Sequence, residues 1–131
     1  MTAAASPLVL VVDDVADTCR LMRRVLERAG IRVIEAATGE DAIEAIASEH
    51  PDLVVLDLRL PGISGFDVAR WVRASPDRAI ARTVLLACSA SVQPEVEREA
   101  RDAGADAFEG KPFDIAGFVD RIRQLIDQRP P

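Results

Sequence analysis

Three aspartates, a serine and a lysine stand where apolar runs of this chain end. Asp13 and Asp14 follow Leu8–Val12, Asp57 follows Leu53–Leu56, Ser89 follows Val84–Cys88, and Lys111 follows the weaker run Ala105–Phe108. Brought together, three carboxylates repel and raise one another's pKa unless a cation shares the site. A small hard cation such as Mg2+ (or Mn2+) suits such oxygen ligands and keeps several waters. Beside such an ion Asp57 can act as a nucleophile toward phosphorus, the carboxylate role that builds acyl phosphates. The ammonium of Lys111 and the hydroxyl of Ser89 would stabilise charge on the transferring oxygens. In phosphoryl transfer, positioning and electrostatics do nearly all the catalysis.

These residues meet only if the right elements carry them. The runs Leu8–Val12, Ile31–Ile34, Leu53–Leu56, Val84–Cys88 and Ala105–Phe108 read as buried strands. Between them lie helical stretches, Asp17–Ala29, Gly39–Glu49, Gly65–Ala74, Pro94–Ala103 and Asp114–Gln128. Gly30, Pro51, Gly62, Pro76 and Gly104 fall near the boundaries. The last helix shows its period in Ile115, Phe118, Val119, Ile122, Leu125 and Ile126, with Asp114 at the N-cap position. Five strand–helix repeats predict an α/β fold, a parallel sheet covered by helices on both faces. Strand–helix order alone leaves the sheet order open. Ligands gather beyond the carboxyl ends of such strands, so Asp13, Asp14, Asp57, Ser89 and Lys111 are expected on one rim. Residues 8–128 read as a single module, with short disordered tails at 1–7 and 129–131.

Composition narrows the function. The 131 residues are 49% apolar but only 4% aromatic, so Val, Ile, Leu and Ala must fill one core. A formal net charge of −6 has the wrong sign for a protein that tracks phosphate backbones. No direct nucleic-acid partner is expected. Cys19 and Cys88 lack metal-ligand spacing and read as free thiols in a reducing compartment. No segment approaches the ~20 consecutive apolar residues of a membrane span. The start, Met1–Pro7, has no basic region of a signal peptide. A cytoplasmic protein without a membrane partner is the expectation.

Four stretches then carry a resemblance. They are Val11-Val12-Asp13-Asp14; Val54 through Gly65 around Asp57; Ala87-Cys88-Ser89-Ala90; and Ala103-Gly104-Ala105, followed by Phe108-Glu109-Gly110-Lys111-Pro112-Phe113. In this order and spacing the chain resembles the response-regulator receiver family, CheY-like and single-domain, over nearly its whole length. The resemblance implies a doubly wound five-stranded parallel sheet of order 2-1-3-4-5, the flavodoxin/CheY-like (βα)5 fold. It implies that Asp57 is the phosphoacceptor and that Asp13 and Asp14 are the metal-binding acidic pair. The backbone carbonyl of Arg59 matches a further metal ligand. Ser89 matches the hydroxyl that turns toward the phosphoryl group, Phe108 the ring that swings inward with it, and Lys111 the phosphate-contacting lysine. The Lys111-Pro112 bond matches one that is usually cis. Some positions depart from the commoner pattern: Ser89 stands where Thr is frequent, Phe108 lacks the hydroxyl of the frequent Tyr, and Glu109 occupies a usually apolar position. Arg59 and Ser91 occupy positions that tune phosphoryl lifetime in the family.

The implied partners are a histidine kinase or histidine phosphotransfer protein and a downstream protein target. The target would read the face built from the 94–103 helix, the fifth strand and the last helix; a phosphorylation-dependent dimer stays open. His50 reads as a solvated helix-end residue rather than a phosphoryl carrier, Cys88 as buried filler, and Trp71 as half-buried packing. The arginines at 20, 23, 24 and 28 read as a solvated face, with a docking role left open. One rival is a receiver detached from a larger response regulator or hybrid kinase. Another is an enzyme, flavodoxin-like or an aspartate-based phosphatase. The loops lack G-x-G-x-x-G and G-x-x-x-x-G-K-[ST], and Arg59 stands where such phosphatases carry a second aspartate.

Overall fold

Every residue of Leu8–Val12 and Leu53–Asp57 is buried, as strands covered on both faces must be. The computed structural model describes residues 6–111 and 114–129. Its strands are β1 (Leu8–Val12), β2 (Arg32–Ala36), β3 (Leu53–Asp57), β4 (Val84–Ser89) and β5 (Ala107–Gly110). Its helices are α1 (Ala16–Arg28), α2 (Gly39–Glu49), α3 (Gly65–Ala74), the short α4 (Arg78–Ala81), α5 (Pro94–Ala103) and α6 (Ile115–Asp127). All pairings are parallel and the order is β2-β1-β3-β4-β5. The doubly wound architecture expected from the sequence is the one observed. The Lys111-Pro112 bond lies outside the described residues.

Alternation along the strands splits the core in two. Val9, Val11, Leu53, Val55, Leu86 and Cys88 pack on Met22 and Leu26 of α1 and on Phe118 and Ile122 of α6. Their neighbours Leu10, Val12, Val54, Leu56 and Leu85 face Ile46 of α2 and Val68 and Val72 of α3. Each fully buried Leu, Val or Ile contributes roughly 1.5–3 kcal/mol. With so few aromatic side chains, the sheet is held by many small increments.

Element boundaries differ from the sequence expectation in a few places, each for a local reason. The fifth strand begins at Ala107, not Ala105, because the Ala105 N–H closes the end of α5 on the Ala100 carbonyl. Pairing with β4 starts only where the Asp106 N–H reaches the Leu85 carbonyl at 2.9 Å. The four-residue α4, capped by Asp77, is too short to show a period. Asp114 holds the N-cap position of α6 without a side-chain capping bond. Ser64 and Asp67 form a full capping box at α3, which fixes the start of that helix. Two residues placed in the tails carry hydrogen bonds: the Ser6 carbonyl accepts from Arg32, and Arg129 pairs with Asp52.

The end of β3 and the start of α3 touch through backbone. A Cβ on Gly65 would lie 2.3 Å from the Asp57 carbonyl oxygen and 2.7 Å from Leu58 Cα. Only glycine lets α3 begin so close to the carboxyl end of β3. Gly65→Ala is therefore expected to destabilise the fold by about 1–3 kcal/mol, as overpacking does. Urea unfolding measures this; a loss under 0.5 kcal/mol, on the order of an ordinary surface change, would contradict the close approach.

Candidate functional site

Adjacent parallel strands deliver Asp13 and Asp57 to the same rim, and β5 delivers Lys111 across from them. Asp13 and Asp57 are nearly closed to solvent, at 2% and 7% exposure, whereas Asp14 is exposed. One carboxylate oxygen from each of the three lies within 4.8 Å of the others. Lys111 Nζ donates to Asp13 Oδ2 at 2.7 Å and stands 3.4 Å from Asp57 Oδ2. Its backbone N–H donates to the Ser89 carbonyl at 2.9 Å, so β4 sets the height of the lysine.

Backbone groups aim the acids. Asp13 Oδ1 accepts from the Val15 N–H at 2.9 Å, and the Asp13 carbonyl accepts from Cys19 Sγ at 3.3 Å. Asp57 Oδ1 accepts from the Arg59 N–H at 3.2 Å. The Ser89 hydroxyl accepts from the Ser91 N–H at 3.0 Å, which leaves its own proton to donate. Ser89, Ser91, Arg59, Asp14, Asp57 and Lys111 line one cleft. The structure thus brings together all five rim residues expected from the sequence, with the Arg59 N–H on Asp57.

Phe108 points the other way. By period two it leaves the Lys111 side, and it packs half-buried beside Leu58, Ala87, Ala100, Phe66 and Val96. Glu109 sits on an edge strand 3.9 Å from Arg121 of α6, which gives a solvated partner to an acid at a usually apolar position. Trp71 is half-buried against the α2–α3 side of the core. His50 caps α2 in the left-handed region at φ 49 and is exposed. Arg20 pairs with Asp17, and Arg23 with Glu27 and Glu35. Residue type and spacing do not reveal the contacts that Val15, Cys19 and Gly65 make at the site. Val15 and Gly65 act through backbone alone, and only the short turn an Asp favours hinted at the first.

Charge in the cleft is unbalanced: three carboxylates face the buried-side ammonium of Lys111, with exposed Arg59 at the rim. Burial pushes the Asp57 carboxyl above its ordinary pKa, and the Arg59 N–H and the Lys111 charge offset this only in part. For Lys111, burial is the largest single effect and opposes its charge. The hydrogen bond to Asp13 and the charges of Asp57 and Asp13 together outweigh it, so its pKa is raised. Burial pushes Cys19 up to about 11 and Cys88 up further, so neither is a thiolate nucleophile. The donor set fits a hard divalent cation. Oxygens sharing one Mg2+ at about 2.0–2.1 Å stand no more than roughly 4.2 Å apart, a small adjustment from the spacing here.

A five-stranded doubly wound sheet with an acidic cleft at the carboxyl ends defines a class, and comparison with known proteins names it. Residues 9–123 match the family described as the response regulator receiver domain, and the chain belongs to that family. Over 116 residues it is 34% identical to the sensory/regulatory protein RpfC of Xanthomonas campestris, covering 88% of this chain and 16% of RpfC. The polar-differentiation response regulator DivK of Brucella ovis is 27% identical, with 90% of this chain and 94% of DivK covered. The chemotaxis response regulator CheY4 of Vibrio cholerae superposes with a TM-score of 0.85 at 25% identity, covering 92% of this chain and 98% of CheY4. The Francisella response regulator 1452 receiver domain superposes at 0.86 with 26% identity, covering 95% and 100%. The chain is a phosphoacceptor signalling domain of the two-component type. Among the described residues no helix is long and apolar enough to cross a membrane.

The raised Asp57 pKa has a stability consequence with a definite sign. In the window between the ordinary and the raised value, the unfolded chain has released this proton while the folded chain keeps it. Stability therefore falls as pH rises through that window. At neutral pH in metal-free buffer, Asp57→Asn should raise the thermal midpoint. The gain should vanish on acidification below the ordinary carboxylate range. Thermal melts at neutral and acid pH check this; a neutral-pH melt lowered by the substitution would contradict it.

Proposed function

We propose that Asp57 accepts a phosphoryl group from the phosphohistidine of a histidine kinase or phosphotransfer protein. The carboxylate oxygen forms the new P–O bond as the P–N bond to imidazole breaks, the electron pair leaving with the ring nitrogen. The observation that carries this reading is the convergence of Asp13, Asp14 and Asp57 oxygens within 4.8 Å, with Lys111 Nζ reaching both buried carboxylates. Asp13, Asp14, Asp57 and the Arg59 carbonyl would hold Mg2+ (or Mn2+), which when bound neutralises charge on the phosphoryl oxygens. Lys111 donates to one of those oxygens from its place at the cleft wall. Ser89, whose proton is free to donate, moves toward another.

Phosphorylation adds about −1.5 to −2 charge, so Lys111 and Ser89 are drawn in and the 89–91 turn shifts. Phe108, packed on the α5 side of β5, fills the space released. The face made by α5, β5 and α6 changes with it and presents a different surface to a downstream protein or to a second copy. The two shapes pre-exist, and the phosphoryl group shifts their populations by its differential interaction with each. A cytoplasmic setting, where kinases and metabolic phosphodonors meet such a domain, goes with this reading. Because the chain spans only 16% of RpfC but 94% of DivK, both a free-standing regulator and a module of a longer protein suit the same chemistry.

Incubation with a small phosphodonor and Mg2+ should label the wild-type chain stoichiometrically. Asp57→Asn should remove the label, and stable stoichiometric labelling of that variant would overturn the assignment. Asp14→Ala, at an exposed position, should weaken Mg2+ binding at least tenfold, about 1.4 kcal/mol, in a calorimetric titration. Mg2+ at a hundred times its Kd should stabilise the wild type by about 2.7 kcal/mol. Unchanged Mg2+ affinity in the Asp14 variant would remove that residue from the ligand set.

A further inference from the structure

At the opposite end of the sheet from the cleft, one side chain ties four segments together. Arg73, near the end of α3, donates from Nε to the Gly104 carbonyl at 2.9 Å. Its Nη1 donates to the carbonyls of Ala81 at 2.9 Å and Thr83 at 2.7 Å, and its Nη2 to Asp106 Oδ2 at 2.7 Å. The same Asp106 oxygen accepts from the Leu85 N–H at 2.8 Å. The α5–β5 corner is thereby fastened to α3, to the end of α4 and to the start of β4. Gly104 makes the approach possible: a Cβ there would lie 2.4 Å from Arg73 Cγ, at a φ of +120° that side chains rarely adopt. A planar, always charged fork suits four acceptors in fixed directions, which a lysine could not match.

The other end of α5 is attached far more weakly. The helix fully buries only Ala100 and Ala103, both beside the clamp, and its N-cap Gln93 makes no side-chain capping bond. Val92, just before it, is 66% exposed. Val96 is half-buried, and the Arg70–Glu99 ion pair to α3 is 3.9 Å long between half-exposed groups, which contributes little. Few buried contacts mean low local stability. That loose end runs directly into Ser89 and Ser91 at the cleft.

We propose that Arg73 is a pivot for signalling: it holds the α5–β5 corner still while the N-terminal half of α5 and the 90–93 loop reorient when the cleft is filled. The pivot deepens the phosphoacceptor reading and rests on it for what fills the cleft. Arg73 touches no reacting group and acts as a positioning residue. A push at Ser89 on an unfastened helix would shift or melt the whole of α5; with the corner pinned, it becomes a rotation that hinge-like residues absorb.

Hydrogen exchange with peptide-level mass spectrometry on the full chain tests this, with and without Mg2+ and beryllofluoride as a phosphoryl mimic. In the wild type the ligand should change exchange over residues 90–99 at least fivefold and leave 104–107 within twofold. Arg73→Lys should speed exchange at 104–107 at least tenfold without ligand, and should let the ligand response spread across Gly104. Asp106→Asn keeps an oxygen for the Leu85 N–H while removing the charge. It should shift the same amides in the same direction by a smaller factor, and it carries the comparison should the lysine variant not fold. An equal ligand response on both sides of Gly104 in the wild type would overturn the pivot, as would unchanged 104–107 exchange in a folded variant. Absence of any ligand response, around Asp57 included, would instead overturn the phosphoacceptor reading. The clamp would then still be judged by the ligand-free variants.

Discussion

The ammonium of Lys111 stands between the carboxylates of Asp13 and Asp57, 2.7 and 3.4 Å from their oxygens, and it is outnumbered. Asp14 adds a third negative charge at the mouth. Holding like charges in a mostly buried cleft costs free energy, so the groups around them must be rigid or the acids would turn out to water. The rigidity comes from strand ends with both neighbours paired and from two backbone N–H groups, Val15 and Arg59, fixed on the acids. The same imbalance makes the cleft receptive to a divalent cation, and it makes the cleft respond when a phosphoryl group adds negative charge.

The sheet order follows from this requirement in a simple way. Placing β1 between β2 and β3, and β4 next to β3, sets the ends of the first and third strands side by side and leaves the crevice open above them. β5 is an edge strand, and the residue after it leans across the ends of β4 and β3 to reach Asp13. Helices on both faces exclude water from the strands but leave the rim uncovered. The asymmetry between helices matters as well. α1 and α6 share a face with the large cluster that contains Val9, Val11 and Ile122. α5 instead rests on two alanines and half-buried Val96, which makes it the element best able to move without unfolding the domain.

Much of this was legible in the sequence. Continuous apolar runs ending in Asp, Ser or Lys located the strands and the rim together, because burial on both faces and chemistry at the carboxyl end are written at adjacent positions. The strand order needed the family resemblance, since strand–helix alternation is compatible with several orders. What stayed hidden has a common cause. Gly65 is required by a backbone approach to Asp57, Val15 contributes only its N–H, and Arg73 uses acceptors on carbonyls and on Asp106, 33 residues away. Val15 and Arg73 leave no residue-type pattern, and Gly65 ends a matched stretch without showing the backbone contact that requires it. Apolar Ala105 extends the run that marks β5 by two residues, although its N–H belongs to the end of α5.

The most direct measurement is an anomalous-scattering map from crystals of the chain soaked in saturating Mn2+. One peak is expected, bounded by Asp57 and the acids at the end of β1, with the Arg59 carbonyl turned toward it and Lys111 displaced from neither wall. A cleft without a peak, or a peak held by acids elsewhere on the surface, would contradict the central claim.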